Sequence, residues 1–152
     1  MRSLQIRGII YPTDDDVGSI ICRYVIVYDK QSNGVAPTWA NVISSQDIAG
    51  TVVSTVYSMV NLDNRDRFVI IRDKTLVMGK SVSTATQAYS TATSIIVKDY
   101  IKLKLPTIFN AGTAGTIGDI TSGALYIFAI ANQAAASGVT MTFTTRLRFD
   151  DQ

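Results

Sequence analysis

Val139-Thr140-Met141-Thr142-Phe143-Thr144-Thr145-Arg146-Leu147-Arg148-Phe149 alternates more cleanly than any other stretch of this 152-residue chain. Successive side chains of an extended strand point to opposite faces, so Val139, Met141, Phe143, Leu147 and Phe149 fall on one side. Thr140, Thr142, Thr144, Arg146 and Arg148 fall on the other. One apolar face and one polar face describe a strand of an antiparallel sheet with a solvated side. A second alternating stretch stands at the opposite end of the chain. Ser3 to Ile10 sets Leu4 and Ile6 against Gln5 and Arg7. Two half-buried strands of this kind predict that the first and last strands lie side by side.

Between them, Ser19 to Asp29 is apolar on both faces apart from Arg23, as befits a central strand covered on each side. Asn33-Gly34 and Pro37 make a loop, and Thr38 is a good N-cap for a short helix over Trp39 to Ile43. Gln46 to Asn61 keeps neither a period of 2 nor one of 3.6 and reads as a loop with at most one helical turn. Arg67 to Arg72 and Lys74 to Met78 read as two short strands with a kink at Asp73, and Gly79 to Ser94 as an exposed loop. From Ile95 to Leu105, Ile101, Leu103 and Leu105 alternate with Lys102 and Lys104 until Pro106 stops the strand. Thr107 to Asn110 adds a short strand, Ala111 to Gly118 must turn, and Ala124 to Ala131 is an apolar strand bounded by turn residues. Strands do not alternate with long helices, so a parallel α/β sheet is not expected. No repeat of fixed period argues for a propeller or solenoid. The expectation is one all-β domain over residues 1–152: an eight-stranded jelly-roll sandwich of two antiparallel sheets, with a short helix after the second strand.

Composition agrees. Isoleucine, valine and threonine number 18, 14 and 17, a third of the chain, and such branched side chains suit a pleated sheet. The chain has no histidine and no glutamate, and one cysteine, Cys22. Serine–histidine and cysteine–histidine catalytic pairs, histidine–cysteine zinc sites and an intramolecular disulfide are all excluded. No cofactor is implied. An aspartate-dependent hydrolase would need two carboxylates at a set separation, and nothing in the sequence pairs them, so an enzyme is not expected. No apolar run is long enough to span a membrane, and Met1-Arg2-Ser3-Leu4 does not open a signal peptide.

Several residues are candidates for contact. Pairing of the first and last strands gathers Arg7, Arg146 and Arg148 on one sheet face, with Arg2 close by, a patch able to hold phosphates without reading sequence. Solubility, or ion pairs to a neighbouring subunit's aspartates, is the competing explanation, since the net charge is only +2. Lys98, Lys102 and Lys104 form a second stripe, read as solvent-exposed. Asp14-Asp15-Asp16 offers hard oxygen ligands to a cation such as calcium, though a solvated turn accounts for it more simply. Trp39, with Asn33 and Gly34 on the loop before it, is a candidate subunit contact; packing inside its own domain serves Trp39 equally. Cys22 reads as a small buried hydrophobe. The glycine-rich stretch Gly112 to Gly118 lacks the lysine of a phosphate loop.

Four ordered blocks carry a family resemblance. Arg23-Tyr24-Val25-Ile26-Val27-Tyr28-Asp29-Lys30-Gln31-Ser32-Asn33-Gly34-Val35-Ala36-Pro37-Thr38-Trp39 resembles the end of strand C and the following loop of single-jelly-roll coat proteins of circular Rep-encoding single-stranded DNA viruses. These are themselves similar to the coats of plant satellite RNA viruses. Arg67 to Thr75 resembles their D-to-E turn, Lys98 to Pro106 their strand F, and Phe143 to Asp150 their last strand, I. The resemblance implies a capsid protein that associates with itself, about sixty copies closing the smallest icosahedral shell. It further implies single-stranded nucleic acid bound without sequence specificity, an unidentified host receptor, and location in the virion. Assembly is implied inside the host cell, the nucleus included. Family members carry a basic arm ahead of strand B; here the first strand starts near Ser3 and that arm is expected to be absent. The rival reading is a trimeric jelly-roll module that binds a ligand or receptor. With no histidine, an acid-triggered disassembly near neutrality would not be a histidine switch.

Overall fold

Among the described residues, ten strands and one short α-helix follow one another: β1 (Ser3–Pro12), β2 (Ile20–Asp29), α1 (Trp39–Val42), β3 (Gln46–Ile48), β4 (Thr51–Val53), β5 (Phe68–Met78), β6 (Ile95–Lys102), β7 (Ile108–Phe109), β8 (Ile120–Ser122), β9 (Ala124–Ala131) and β10 (Val139–Arg148). The structure, a computed structural model, describes residues 1–12, 20–48, 51–53, 55–79, 94–110, 112, 114–132 and 139–150. The fold is all-β. Its six long strands form two main antiparallel sheets, ordered β10-β1-β6 and β5-β2-β9, and β3–β4 and β7–β8 form two-stranded ribbons. The first and last strands pair antiparallel, from Ser3 opposite Arg148 to Pro12 opposite Val139. On its other side β1 pairs with β6, from Ser3 opposite Lys102 to Ile10 opposite Ile95.

The chain divides into two compact units. The first comprises residues 1–22, 75–104 and 131–152 and holds the β10-β1-β6 sheet. Leu4, Ile6, Ile10, Val97 and Ile101 are buried on one face of that sheet, the face their alternation assigns them. Cys22 is buried too, and burial pushes its thiol pKa up, which keeps it protonated and inert.

The second unit comprises residues 23–74 and 105–130. Val25, Val27, Val42, Ile43 and Phe68 form its core, with Trp39, Val60, Ile70 and Phe128 packed against them. The indole of Trp39 meets the Phe128 ring edge-on at 6.2 Å. Two charge pairs sit in this unit. Asp29, fully buried, accepts two hydrogen bonds from Arg67, at 2.9 Å from Nε and 2.8 Å from Nη2, and a third from the Gln31 amide at 2.9 Å. Arg23 donates Nε to Asp73 at 2.8 Å and a second bond from Nη2, while Nη1 donates to the carbonyls of Val56 and Ser58. The single cation in β2 thus ties down the chain between β4 and β5.

Several expectations need correction. The kink at Asp73 is absent: β5 runs unbroken through it, because Arg23 neutralises the carboxylate within the sheet. For the same reason the D-to-E turn placed at Arg67 to Thr75 is strand over most of its length. Gln46 to Asn61 contains the β3–β4 ribbon rather than loop alone. β6 ends at Lys102, and Lys104 beyond it has a left-handed φ of 53°. Phe149, expected inside, is half exposed past the end of β10. Most of Gly79 to Ser94 lies outside the described residues. The helix begins where Thr38 foretold, the Asn41 side-chain oxygen accepting from the Thr38 amide at 2.8 Å and its hydroxyl at 2.9 Å.

One glycine is required by both conformation and space. Gly123 has φ +82°, and a Cβ there would stand 2.2 Å from the Pro106 carbonyl oxygen, which also accepts the Tyr28 hydroxyl at 2.7 Å. Gly123→Ala should lower stability by about 2–4 kcal/mol, from left-handed strain plus overpacking. Gly79→Ala, which meets nothing within 4 Å, should stay within about 0.5 kcal/mol. Urea midpoints of the two variants check this.

Candidate nucleic-acid interface

The β10-β1-β6 sheet presents its second face outward, and the register states which side chains share it. Residues directly opposite each other in paired strands point to the same side. Arg7 lies opposite Thr144 on β10 and Lys98 on β6; Gln5 lies opposite Arg146 and Tyr100; Ser3 lies opposite Arg148 and Lys102. Five cations therefore converge on one face: Arg7, Arg146, Arg148, Lys98 and Lys102, all exposed. Gln5 sits among them, and Tyr100, 54% exposed, offers an aromatic surface at their centre. A depression of about 560 Å³ runs along Gln5, Arg7, Thr144, Thr145 and Arg146.

No carboxylate stands among the residues that the register places on this face. Asp99, the acidic residue of β6, lies opposite Ile6 and is buried on the other side of the sheet. Arg7 stands directly across from Lys98, a like-charge pairing that costs stability unless an anion lies between them. Arginine forks match phosphate oxygens in pairs, lysines act as point charges, and an exposed ring can stack on an unpaired base. Such a face can attract an anionic partner through its charges alone.

Of the residues singled out from the sequence, Arg7, Arg146 and Arg148 come together here. Arg2 does not join them on equal terms, since its Nη1 pairs with the Asp150 carboxylate at 3.0 Å. Lys98 and Lys102, read as a separate stripe, belong to the same face, and Tyr100 was overlooked. Their own alternation held the signal, but only the placement of β6 beside β1 unites the two stripes. Trp39 packs against the core of the second unit, Asn33 is exposed, and Gly34 takes a φ of +78° that favours glycine. Asp14, Asp15 and Asp16 lie outside the described residues. Among the described residues no three histidine, cysteine, aspartate or glutamate side chains cluster as metal ligands. Nor is any helix among them long and apolar enough to cross a membrane.

A search of curated proteins gave no match. A family model described as geminivirus coat protein/nuclear export factor BR1 family matches residues 1–152. Strands, basic face and family match agree, and the chain belongs to the geminivirus coat protein family.

Proposed function

We propose that this chain is a jelly-roll shell subunit of a small closed particle, and that the outer face of its β10-β1-β6 sheet lies against packaged single-stranded DNA. The family is one of structural rather than enzymatic proteins, which agrees with a chain lacking histidine and glutamate. The observation that carries the nucleic-acid reading is the set of five exposed cations on one sheet face with no carboxylate among the residues paired there. Phosphate neutralisation of this kind binds any sequence and weakens with salt. Tyr100 would favour unpaired bases over duplex.

Self-association has its own support in the second unit. Tyr57, Met59 and Leu62 are 65%, 76% and 67% exposed, and such apolar surface suits contact between copies. In this reading the exposed Asn33–Gly34 turn joins the subunit contacts, with Trp39 packed beneath as their support. About sixty copies would close the smallest icosahedral shell, and closure lets weak contacts hold because each subunit makes several. The virion is the place of action, with assembly inside the host cell, its nucleus included.

Size-exclusion chromatography with negative-stain microscopy tests the shell. Closed particles about 200 Å wide, the size that ~60 domains of this length should make, are expected. A trimer that persists across salt and pH supports the receptor-binding reading instead and contradicts this one.

A further inference from the structure

Asn33 is the asparagine of this chain that a glycine follows; Asn41, Asn61, Asn64, Asn110 and Asn132 precede valine, leucine, arginine, alanine and glutamine. Asparagine is a chemically labile residue, and its lifetime depends on whether the next backbone nitrogen reaches its side-chain carbonyl carbon. A Cβ on the next residue obstructs that approach, and glycine has none. Hydrogen bonds to the side chain resist it too, because the two groups must turn toward each other. The five other asparagines are held in this way. Asn41 Oδ1 accepts from the Thr38 amide at 2.8 Å. The Asn61 side chain bridges the Asp63 amide at 3.0 Å and the Ala40 carbonyl at 3.1 Å. That of Asn110 bridges the Gly112 amide at 2.7 Å and the Gly118 carbonyl at 3.0 Å. Asn64 donates to the Asn41 carbonyl at 2.9 Å, and Asn132 accepts from the Ile21 amide at 2.9 Å.

Asn33 differs on both counts. It is exposed, and among the described residues neither its side chain nor the Gly34 amide makes a hydrogen bond. The chain is anchored on either side of the pair, by the Gln31 amide on buried Asp29 at 2.9 Å and by the Thr38 amide on Asn41. Rotation about the Asn33–Gly34 link therefore breaks no hydrogen bond of the fold. Space is free as well. A Cβ built on Gly34, at φ +78°, would meet the Gly118 Cα at 3.7 Å, an ordinary contact distance, and nothing nearer among the described residues.

We infer that Asn33 is a site of spontaneous deamidation in the folded chain. The Gly34 nitrogen loses its proton to hydroxide and attacks Asn33 Cγ. The new N–Cγ bond closes a succinimide ring, and the side-chain nitrogen takes up a proton and leaves as ammonia. Water then opens the ring. Breaking the N–Cγ bond leaves aspartate on the original backbone. Breaking the bond from that nitrogen to the main-chain carbonyl carbon leaves isoaspartate, with the chain continuing through Cγ. Water is consumed, ammonia is released, and nothing is oxidised or reduced. Each event lowers the net charge of +2 by one. Isoaspartate also adds one methylene to the main chain between β2 and α1. The turn alone sets this chemistry, whatever the chain assembles into.

Peptide mass mapping of the 152-residue chain, kept folded in warm, mildly alkaline buffer, tests it. Conversion of Asn33 at least tenfold faster than of any other asparagine is expected, with isoaspartate and aspartate both formed and a rate that rises with pH. Conversion no faster than at Asn61 or Asn110, or aspartate formed without isoaspartate, overturns the inference. Gly34→Ala, which adds the obstructing Cβ, should slow the reaction at least tenfold. An unchanged rate contradicts attack by the nitrogen of residue 34. That variant also strains the turn, since φ there is +78°, so a second one leaves the turn as it is. Gly123→Ala, which lowers stability, should leave the rate at Asn33 unchanged, because the folded chain is the one that reacts. A rate that rises with the loss of stability places the reaction in the unfolded chain and overturns the inference.

Discussion

Replacing Arg7, Arg146 and Arg148 together by alanine should weaken binding to single-stranded DNA about a hundredfold, at about 1 kcal/mol for each exposed phosphate contact. The salt dependence is the sharper readout. Five phosphate contacts give a slope of log affinity against log salt near −3.5, at about −0.7 per contact for a single strand. Loss of three should bring it to about −1.4. Fluorescence anisotropy of a labelled oligothymidylate across a salt series measures both. Thermal stability should hold or rise, since the register sets no carboxylate opposite these cations and Arg7 stands against Lys98. That last expectation separates phosphate binding from a structural role: arginines tied into ion pairs would lower the melting temperature when removed. Arg65→Ala, in the other unit, should leave the slope alone. An unchanged slope in the triple variant would remove this face from DNA binding.

Asp73→Ala should cost about 2–3 kcal/mol: the buried Arg23 guanidinium loses its carboxylate, but Asp73 itself is exposed and water screens part of the loss. The Arg23 side chain is only 9% exposed, so its charge stays buried beside the Val56 and Ser58 carbonyls without a carboxylate to balance it. For a domain at the lower end of the usual range of about 5–15 kcal/mol, that is about half of its stability. Removing both charges, as Arg23→Met with Asp73→Leu, should recover more than half of the loss, because two uncharged side chains of similar bulk leave no stranded ion. Chemical denaturation of the single and double variants gives the comparison. A single variant within 1 kcal/mol of the parent would contradict the assigned role of the pair.

Alternation along single strands was legible in the sequence. The antiparallel pairing of β1 with β10, the buried central β2, the helix start at Thr38 and the whole of β9 follow from local patterns of apolar, polar and turn residues. Neighbours across the sheet were not legible, because a strand's own period says nothing of which strand lies beside it. Half of the candidate site was hidden for that reason: Lys98, Tyr100 and Lys102 join the arginines only because β6 borders β1. The unbroken course of β5 was hidden too, since the group that neutralises Asp73 is Arg23, fifty residues earlier. The basic arginines were visible as residues, but Asp150, which occupies Arg2, was not visible as its partner.

Cryo-electron microscopy of assembled, DNA-loaded particles tests the central claim most directly. The account predicts a closed shell with nucleic-acid density lying along Arg7, Lys98, Lys102, Arg146 and Arg148. Closed particles whose DNA density avoids that face, or a chain that forms no closed particles when DNA is supplied, would contradict it.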